Sequence, residues 1–545
     1  MKRDLTQLGE KQFDLAVVGG GVHGATIAAL AAATGLSTVL LEKDDFCGGT
    51  SANSLKILHG GLRYLQHMDL PRIRDSIISR RWMLRNFPEL VEPLQCIMPT
   101  SGRALRSKAA MATGLFINDI FSCTRNSGVL PEKYLGRGRV VSQSSCAKII
   151  KGLNTSDISG GAIWYDALAL NTERIVLELV SRLTELGGEA ANYITVKRIA
   201  REGSSGVLYC IDTDSGQEVT VRADSIVNTS GPWCGQFSGL RQGTGLVCKG
   251  WSRAVNLIVK PELFSGYAVG LEGKSTFVDK DAVVQKGKRL FFFVPWRGKT
   301  MVGTVYTTHH DPHVPPTVSR KELEAMLDEI NQIYPAGNLQ YGDIVNYHMG
   351  LMPSVPTEGD GPFDVQLDKK EVVIDHSVED GLENVFTVKT VKYTTAFSVA
   401  CRFLESLAGK GIIKNEKWEK VVQSPFGDSS HVPDTHGIPA RLRQRYGRQA
   451  KGVLPYLSMA GNAQSIVGNG DTLDSGEIRY AVEQEMAMHL DDVLLRRTDL
   501  ATASLPSVKV VEDAADTMME VCGWSKERRA LELERLAKHF QPLGN

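Results

Sequence analysis

Gly19, Gly21 and Gly24 stand at the spacing G-x-G-x-x-G, directly after the apolar run 13–18 and directly before the small-residue run 25–33. Each glycine has its own task in holding a pyrophosphate. Gly19 permits a tight turn, Gly21 lets the phosphates approach the backbone, and Gly24 lets helix and strand pack closely. The start of the following helix turns free N–H groups and a positive dipole end toward the anion. A second strand over 38–41 ends at Glu42, an acceptor for a ribose hydroxyl. Strand, glycine turn, helix, strand and acid together predict a dinucleotide site. The pattern does not separate FAD from NAD, and Glu42 disfavours the 2′-phosphate of NADP.

The next segment carries small hydroxyl residues and then a Gly-Gly pair: Thr50-Ser51-Ala52-Asn53-Ser54, then Lys56-Ile57-Leu58-His59-Gly60-Gly61-Leu62-Arg63-Tyr64-Leu65. Such residues suit a backbone running beside a flat cofactor, donating hydrogen bonds without filling space. The run T-S-x-x-S-x-K-x-x-H-G-G-L-R-Y-L resembles the signature of FAD-dependent glycerol-3-phosphate dehydrogenases, in the D-amino-acid-oxidase-like flavoprotein superfamily. Further resemblances follow in the family's order. They are Trp164-Tyr165-Asp166 before a helix from Asn171, residues 225–233 around Ser230-Gly231-Pro232-Trp233, Phe292-Phe293-Val294-Pro295-Trp296 with Val302-Gly303-Thr304, and Val388 to Thr395.

The resemblance implies FAD as cofactor. It places Gly19, Gly21, Val22, His23 and Gly24 at the phosphates and Glu42 with Lys43 at the ribose end. Thr50, Ser51, Ser54, Leu58, His59 and Gly60 would run beside the flavin, and Val196 would meet the adenine. Ser230, Gly231 and Trp233 form the returning turn, and Lys392, Thr394 and Thr395 the late turn beside the isoalloxazine. It also implies oxidation of the secondary alcohol of glycerol 3-phosphate or a related polyol phosphate, with hydride transfer to the flavin and a base taking the hydroxyl proton. His59, Lys392 and Tyr64 are the candidate bases. Lys392 is preferred as base or alkoxide stabiliser because burial lowers a lysine pKa, with hydrogen bonding to the flavin edge as its other role. Arg63 would grip the phosphate, the task to which a guanidinium is suited. Quinone or oxygen would receive the electrons, and a homodimer is compatible with the pattern.

At the substrate face the sequence departs from the family. An arginine usual in a G-x-R-P stretch is Met352 in Met349-Gly350-Leu351-Met352-Pro353, and a thioether cannot pair with an anion or a developing alkoxide. The usual G-T-T-D reads Gly303-Thr304-Val305-Tyr306, and the late Gly-Gly-Lys reads Thr390-Val391-Lys392. Arg253 is a candidate substitute charge. These losses leave two other readings: a flavin enzyme for a different alcohol or amine, and a flavin-binding protein with degraded catalysis.

The elements that must position these residues predict an α/β chain: a Rossmann-type FAD-binding domain, an inserted α+β substrate domain and a helical C-terminal domain. Its parts are expected at 10–100, 161–240 and 376–410 for the FAD-binding domain, 241–375 for the substrate domain and 411–545 for the helices. Residues 101–160 would form a cap or membrane-facing segment, in which Met111, Leu115, Phe116, Ile117, Ile120 and Phe121 follow Arg103, Arg106 and Lys108. Arg72, Arg74, Arg80, Arg81 and Arg85 add positive charge that an anionic leaflet would attract. Ser319 and Glu322 form a capping-box pattern. Apolar residues at helical spacing over 477–497 and 526–540 predict two helices, with Arg496 and Arg497 at a helix C-terminus as dipole contacts.

Composition narrows the classes. The 545 residues carry 62 Lys+Arg and 62 Asp+Glu, a balance that argues against a nucleic-acid-binding role. Nine cysteines form no C-x-x-C pair, so neither a zinc site nor a disulfide framework is expected. No metal is predicted. Acidic Glu10 and Asp14 interrupt any secretory signal, and Thr34 to Thr38 divide the uncharged run 24–41 into helix and strand. A cytoplasmic chain, peripheral on the inner membrane face if it meets a membrane, is the expectation.

Overall fold

The computed structural model describes residues 1–62, 69–101, 107–203, 205–235, 250–276, 288–355, 365–368, 371–423, 426, 437–459, 465–468 and 471–543. Arg63, Tyr64, Arg103 and Arg106 lie outside them.

Among the described residues the fold consists of two large sheets, a two-stranded hairpin of Ser465–Gly468 with Asp471–Asp474, and a helical unit. In the first sheet the strand order is Val372–Asp375, Val385–Lys389, Glu218–Asn228, Gln12–Val18, Thr38–Leu41, Glu189–Ala191, with the hairpin Ile194–Glu202 and Ser205–Asp212 joined to Glu218–Asn228. Gln12–Val18 runs parallel to both neighbours, pairing Val17 with Leu40 and with Val227. Alternation then sorts the side chains. Leu15, Val17, Leu40 and Val227 face the helices Val22–Ala33, Thr172–Glu185 and Ala396–Gly409, while Ala16, Val18, Val39, Leu41 and Ile226 pack on the hairpin side. The helix Val22–Ala33 is buried nearly all round, which explains its run of small and apolar residues. Among the described residues no helix is long and apolar enough to cross a membrane.

The second sheet orders Gln366–Leu367, Ile344–Val355, Gly250–Val259, Lys299–His309, Lys288–Trp296, Tyr267–Thr276, Val91–Ser101, Ile158–Ala169 and Ile57–Leu58, with Arg139–Ser142 beside Ile158–Ala169. This sheet draws strands from well before residue 241, so the substrate-side layer is not confined to 241–375. The reason is pairing: Val91–Ser101 and Ile158–Ala169 form a long antiparallel ladder, and Tyr267–Thr276 joins it in parallel. One face packs on the helix Arg320–Ile333, whose Leu323, Met326, Leu327 and Ile330 meet Val255, Leu257, Phe291 and Phe293. That helix opens with the Ser319–Glu322 capping box.

The C-terminal unit gathers the helices Ser475–Glu485, Val508–Cys522 and Lys526–Phe540 around Leu490, Val493, Leu494 and Met518. The single helix expected over 477–497 is broken. It ends at Glu485 because Met486 turns left-handed at φ 56°, and Asp492 then restarts the chain by accepting the N–H groups of Met488 and His489 at 2.8 and 3.0 Å. Arg496 and Arg497 do close the short helical turn Asp492–Arg497, but their guanidiniums serve as ion-pair partners and not as dipole contacts. Both are buried on Asp45, with Arg496 Nε at 2.5 Å and Arg497 Nη1 and Nη2 at 2.6 and 2.8 Å. Arg174 pairs with Glu485 and stabilises the same junction. The Asp45 pairs join the helical unit to the loop that follows Glu42, and the Arg174 pair joins it to the helix Thr172–Glu185.

Candidate active site

Four contacts bring the glycine turn, the hydroxyl segment, the returning turn and the late turn to one place. Gly19, at φ 107°, lies so close to Thr229 and Ser230 that a Cβ would sit 2.8 Å from the Ser230 Cα. The Ser51 hydroxyl accepts the Val22 N–H at 3.0 Å. His23 Nε2 lies 2.8 Å from the Lys392 carbonyl, and the His59 N–H reaches the Thr394 hydroxyl at 3.2 Å. Gly24 needs to be glycine because its Cβ would overlap the Gly19 carbonyl. Gly21 itself supplies no side-chain cap to the helix Val22–Ala33; among its first N–H groups that of Val22 is already taken by Ser51.

Glu42 ends its strand holding the Gly20 N–H at 2.6 Å and the Asp44 N–H at 2.9 Å. Burial pushes its carboxyl up to about 7, with the charge of Asp44 adding to the effect. Lys43 Nζ stands 4.3 Å over the Trp233 ring, whose indole N–H donates to the Pro312 carbonyl. Ser230 is fixed on Asn228, and Gly231 is left-handed at φ 59°. Thr395 donates to Glu371, and Ser54 accepts the Lys56 N–H. Val196 and Leu58 have side chains in the core, so only their backbones can meet a ligand.

The residues fit a dinucleotide cofactor on two observations: glycines at 19 and 24 leave no room for Cβ atoms, and the buried His23 Nδ1 has no partner among the described residues. Burial lowers the His23 pKa to about 4 despite the Lys392 carbonyl, so the imidazole is neutral beside the glycine turn. No group of described residues could hold a metal ion, and none of the described cysteines is disulfide-bonded.

The second sheet presents its other face to the hydroxyl segment. Thr50 donates to the Leu351 carbonyl at 2.8 Å, the Met349 N–H reaches Asn53 at 3.1 Å, and Thr50 Cγ2 would lie 3.1 Å from a Cβ on Gly350. Alternation puts Met352 on the same face as Gly350, with Ser252 opposite it, and Ala254 opposite both Gly350 and Tyr306. Arg253 lies on the reverse face, bound to Thr307 and to Glu322 of the outer helix. It does not replace the missing cation.

Among the described residues His59 is a chemistry-bearing group that is both held and accessible. Its side chain is 49% exposed, its ring centroid lies 6.0 Å from that of Phe292, and Nδ1 faces Asp166 Oδ2 at 3.4 Å. Asp166 is buried and also accepts the Gly60 N–H at 2.6 Å, Arg80 Nη1 at 2.6 Å and Trp164 Nε1 at 3.1 Å. Burial alone would raise its pKa, but the His59 bond and the Arg80 charge bring it down to about 2. Arg80 Nη1 donates as well to the Tyr165 carbonyl at 2.9 Å. Gly60 is the condition for this arrangement, because a Cβ there would fall inside the Arg80 guanidinium. Asp166 and Arg80 were not among the candidate site residues from sequence. Trp164-Tyr165-Asp166 was visible as a motif, but only the strand pairing shows that its acid turns toward His59. Trp296 is core, its indole N–H on the Leu170 carbonyl.

Comparison with known proteins identifies the family to which this fold belongs. Residues 14–387 match the FAD dependent oxidoreductase family, and residues 424–529 match the C-terminal domain of alpha-glycerophosphate oxidase. The chain is 26% identical to a glycerol-3-phosphate dehydrogenase of Synechocystis sp. (strain ATCC 27184 / PCC 6803 / Kazusa), covering 99% of this chain and 98% of that one. It is 27% identical to a glycerol-3-phosphate dehydrogenase of Mycobacterium leprae (strain TN), over 96% of this chain and 87% of that one. The crystal structure of glycerol-3-phosphate dehydrogenase from Bacillus halodurans complexed with FAD superposes with a TM-score of 0.68 at 20% identity, covering 99% and 98% of the two chains, which shows a shared fold. The chain therefore belongs to the FAD-dependent oxidoreductases, within the D-amino-acid-oxidase-like flavoproteins, and FAD is its cofactor.

Proposed function

We propose that this oxidoreductase oxidises the secondary alcohol of glycerol 3-phosphate or a related polyol phosphate. The observation that carries the reading is the end-to-end likeness to proteins named glycerol-3-phosphate dehydrogenase, 99% of this chain against 98% of one relative. When bound, FAD supplies the two-electron acceptor for the hydride that leaves the alcohol carbon. Oxidation to a ketone also requires loss of the hydroxyl proton, and His59 takes it, being exposed and hydrogen-bonded to a buried carboxylate. Lys392 lies on the turn whose Thr394 receives the His59 N–H, and supplies positive charge for the developing alkoxide.

The position of Met352 favours a second reading, in which another alcohol or an amine is the substrate. Met352 shares the Gly350 face beside Thr50, so an uncharged thioether stands where the family's arginine would. Anaerobic addition of glycerol 3-phosphate to the yellow protein separates the two. Rapid bleaching of the flavin band supports the first reading, and an unbleached flavin rejects that substrate in favour of the second. Met352→Arg is expected to raise activity on glycerol 3-phosphate if the lost charge limits it.

The same proposal places the protein at a membrane surface, with quinone or oxygen as electron acceptor. The helix Lys108–Phe121 buries only Leu115 and exposes Phe116 at 67% and Ile120 at 56%, alongside Ile117 and Phe121. Sedimentation with anionic vesicles, lost on Phe116→Ser/Ile120→Ser, would support it, and unchanged sedimentation would refute it.

A further inference from the structure

We infer that Asp166 is a positioning residue that fixes the proton of His59 on Nδ1, so that Nε2 presents its lone pair to the substrate. The inference deepens the proposed alcohol oxidation, but half of its test is independent of any substrate.

An imidazole acting as a base must have one bare nitrogen, and which one is bare depends on what the other touches. His59 Nδ1 faces Asp166 Oδ2 at 3.4 Å, a long contact of the kind that tightens when a ligand fills a site. An ionised carboxylate only accepts, so Nδ1 must be the donor. Ionisation of Asp166 is secured by its surroundings: Gly60 N–H and Arg80 share Oδ1, while Trp164 Nε1 reaches Oδ2. These donors come from three segments, so the carboxylate is held from several directions and cannot follow a moving ring. No described residue hydrogen-bonds Nε2, and the ring is half exposed beside Phe292.

The step balances simply. With FAD bound as the two-electron acceptor, the substrate hydroxyl would give its proton to His59 Nε2 as the hydride leaves its carbon, and the products would be a ketone, the reduced flavin and an imidazolium whose Nδ1–H still points at Asp166. The carboxylate stays ionised throughout and stabilises the imidazolium. Asp166 touches neither substrate nor cofactor in this account and acts only through His59.

The test uses the FAD-loaded protein labelled with 15N-histidine. The His59 signals are assigned by their loss in His59→Gln, and its neutral form is read for the nitrogen that carries the proton. The expected wild-type result is a protonated Nδ1 and a bare Nε2, with the two tautomers mixed in Asp166→Asn at unchanged flavin content. A wild-type proton on Nε2 overturns the inference, and so does an Asp166→Asn spectrum with the wild-type tautomer. That first result needs no variant beyond the assignment, so it stands even if Asp166→Asn folds poorly. In the kinetic half, anaerobic flavin reduction by glycerol 3-phosphate should slow about 100-fold in Asp166→Asn with little change in KM. The same substitution in a His59→Gln background should cost nothing further, since its effect passes through His59. Additive losses would mark Asp166 as structural and overturn the inference. If wild-type flavin is not reduced at all, the glycerol 3-phosphate reading fails, and the tautomer result still decides the role of Asp166.

Discussion

Gly60→Ala is the sharpest probe of how the site is held. A methyl carbon at residue 60 would overlap Arg80 Nη1 and Cζ and lie 2.6 Å from Nη2. A surface arginine would swing aside at little cost. Arg80 is buried, with Nη1 committed to Asp166 and to the Tyr165 carbonyl, so moving it breaks both bonds. Two estimates give the size of the effect. The His59 bond and the Arg80 charge together bring the Asp166 pKa from 3.8 to about 2 against the opposing effect of burial, about 2 kcal/mol of which displacing Arg80 forfeits a part. Removing one partner of a buried pair typically costs about 3–5 kcal/mol. Gly60→Ala is therefore expected to destabilise by about 2–5 kcal/mol, a fall in Tm of roughly 2–4 °C for a chain of this length unfolding as one unit. Thermal unfolding of the holoprotein measures it, and a double-mutant cycle with Arg80→Met identifies the cause. Truncating Arg80 removes the atoms that the methyl would strike, so the double variant should be less destabilised than the sum of the singles. A Gly60→Ala protein as stable as wild type, or strictly additive losses, would refute the proposed packing.

Two further outcomes follow from other parts of the molecule. Arg497→Met leaves the buried Asp45 with Arg496 as its remaining guanidinium, and should cost about 3–5 kcal/mol in thermal unfolding; an unchanged Tm would show that the junction does not depend on the pair. Because burial raises the Glu42 carboxyl to about 7, the folded chain binds that proton more tightly than the unfolded chain does. Its contribution to apoprotein stability is greatest below the ordinary carboxyl range and is lost as pH rises through about 7. FAD should show the opposite trend, since the ionised carboxylate is the better acceptor for a ribose hydroxyl. Affinity from fluorescence titration of apoprotein should rise from about pH 6 to 8, by at most about tenfold per pH unit below 7. Glu42→Gln should flatten that rise, and a pH-independent wild-type affinity would contradict the role given to Glu42.

What could be read in the sequence was whatever is local. Gly19, Gly21 and Gly24 betray the phosphate turn because steric demands on a glycine are set within a few residues, and the strand–turn–helix around them has its own periodicity. The fold class follows, since a parallel strand pair with a buried Ala-rich crossover has few ways to pack. Long-range pairing left weaker traces. Nothing in residues 91–101 or 158–169 announces that these strands complete the substrate-side sheet, because antiparallel partners are chosen by distant registers. Apolar spacing over 477–497 suggested one helix because spacing cannot register a left-handed Met486 or a buried Asp492 that restarts the chain. Arg253 illustrates the limit most clearly: its charge was evident, but its direction depended on whether residue 252 or 253 faces the cofactor, a matter of one position in strand register. The same rule governs the active site. His59 could be picked out by its Gly-Gly neighbour, but the acid that orients it stands 107 residues further on, and Gly60 takes its meaning from an arginine on a third element. A pair of glycines beside a histidine thus marks two different needs: room for a cofactor on one side and, at Gly60, room for the guanidinium that holds the orienting carboxylate.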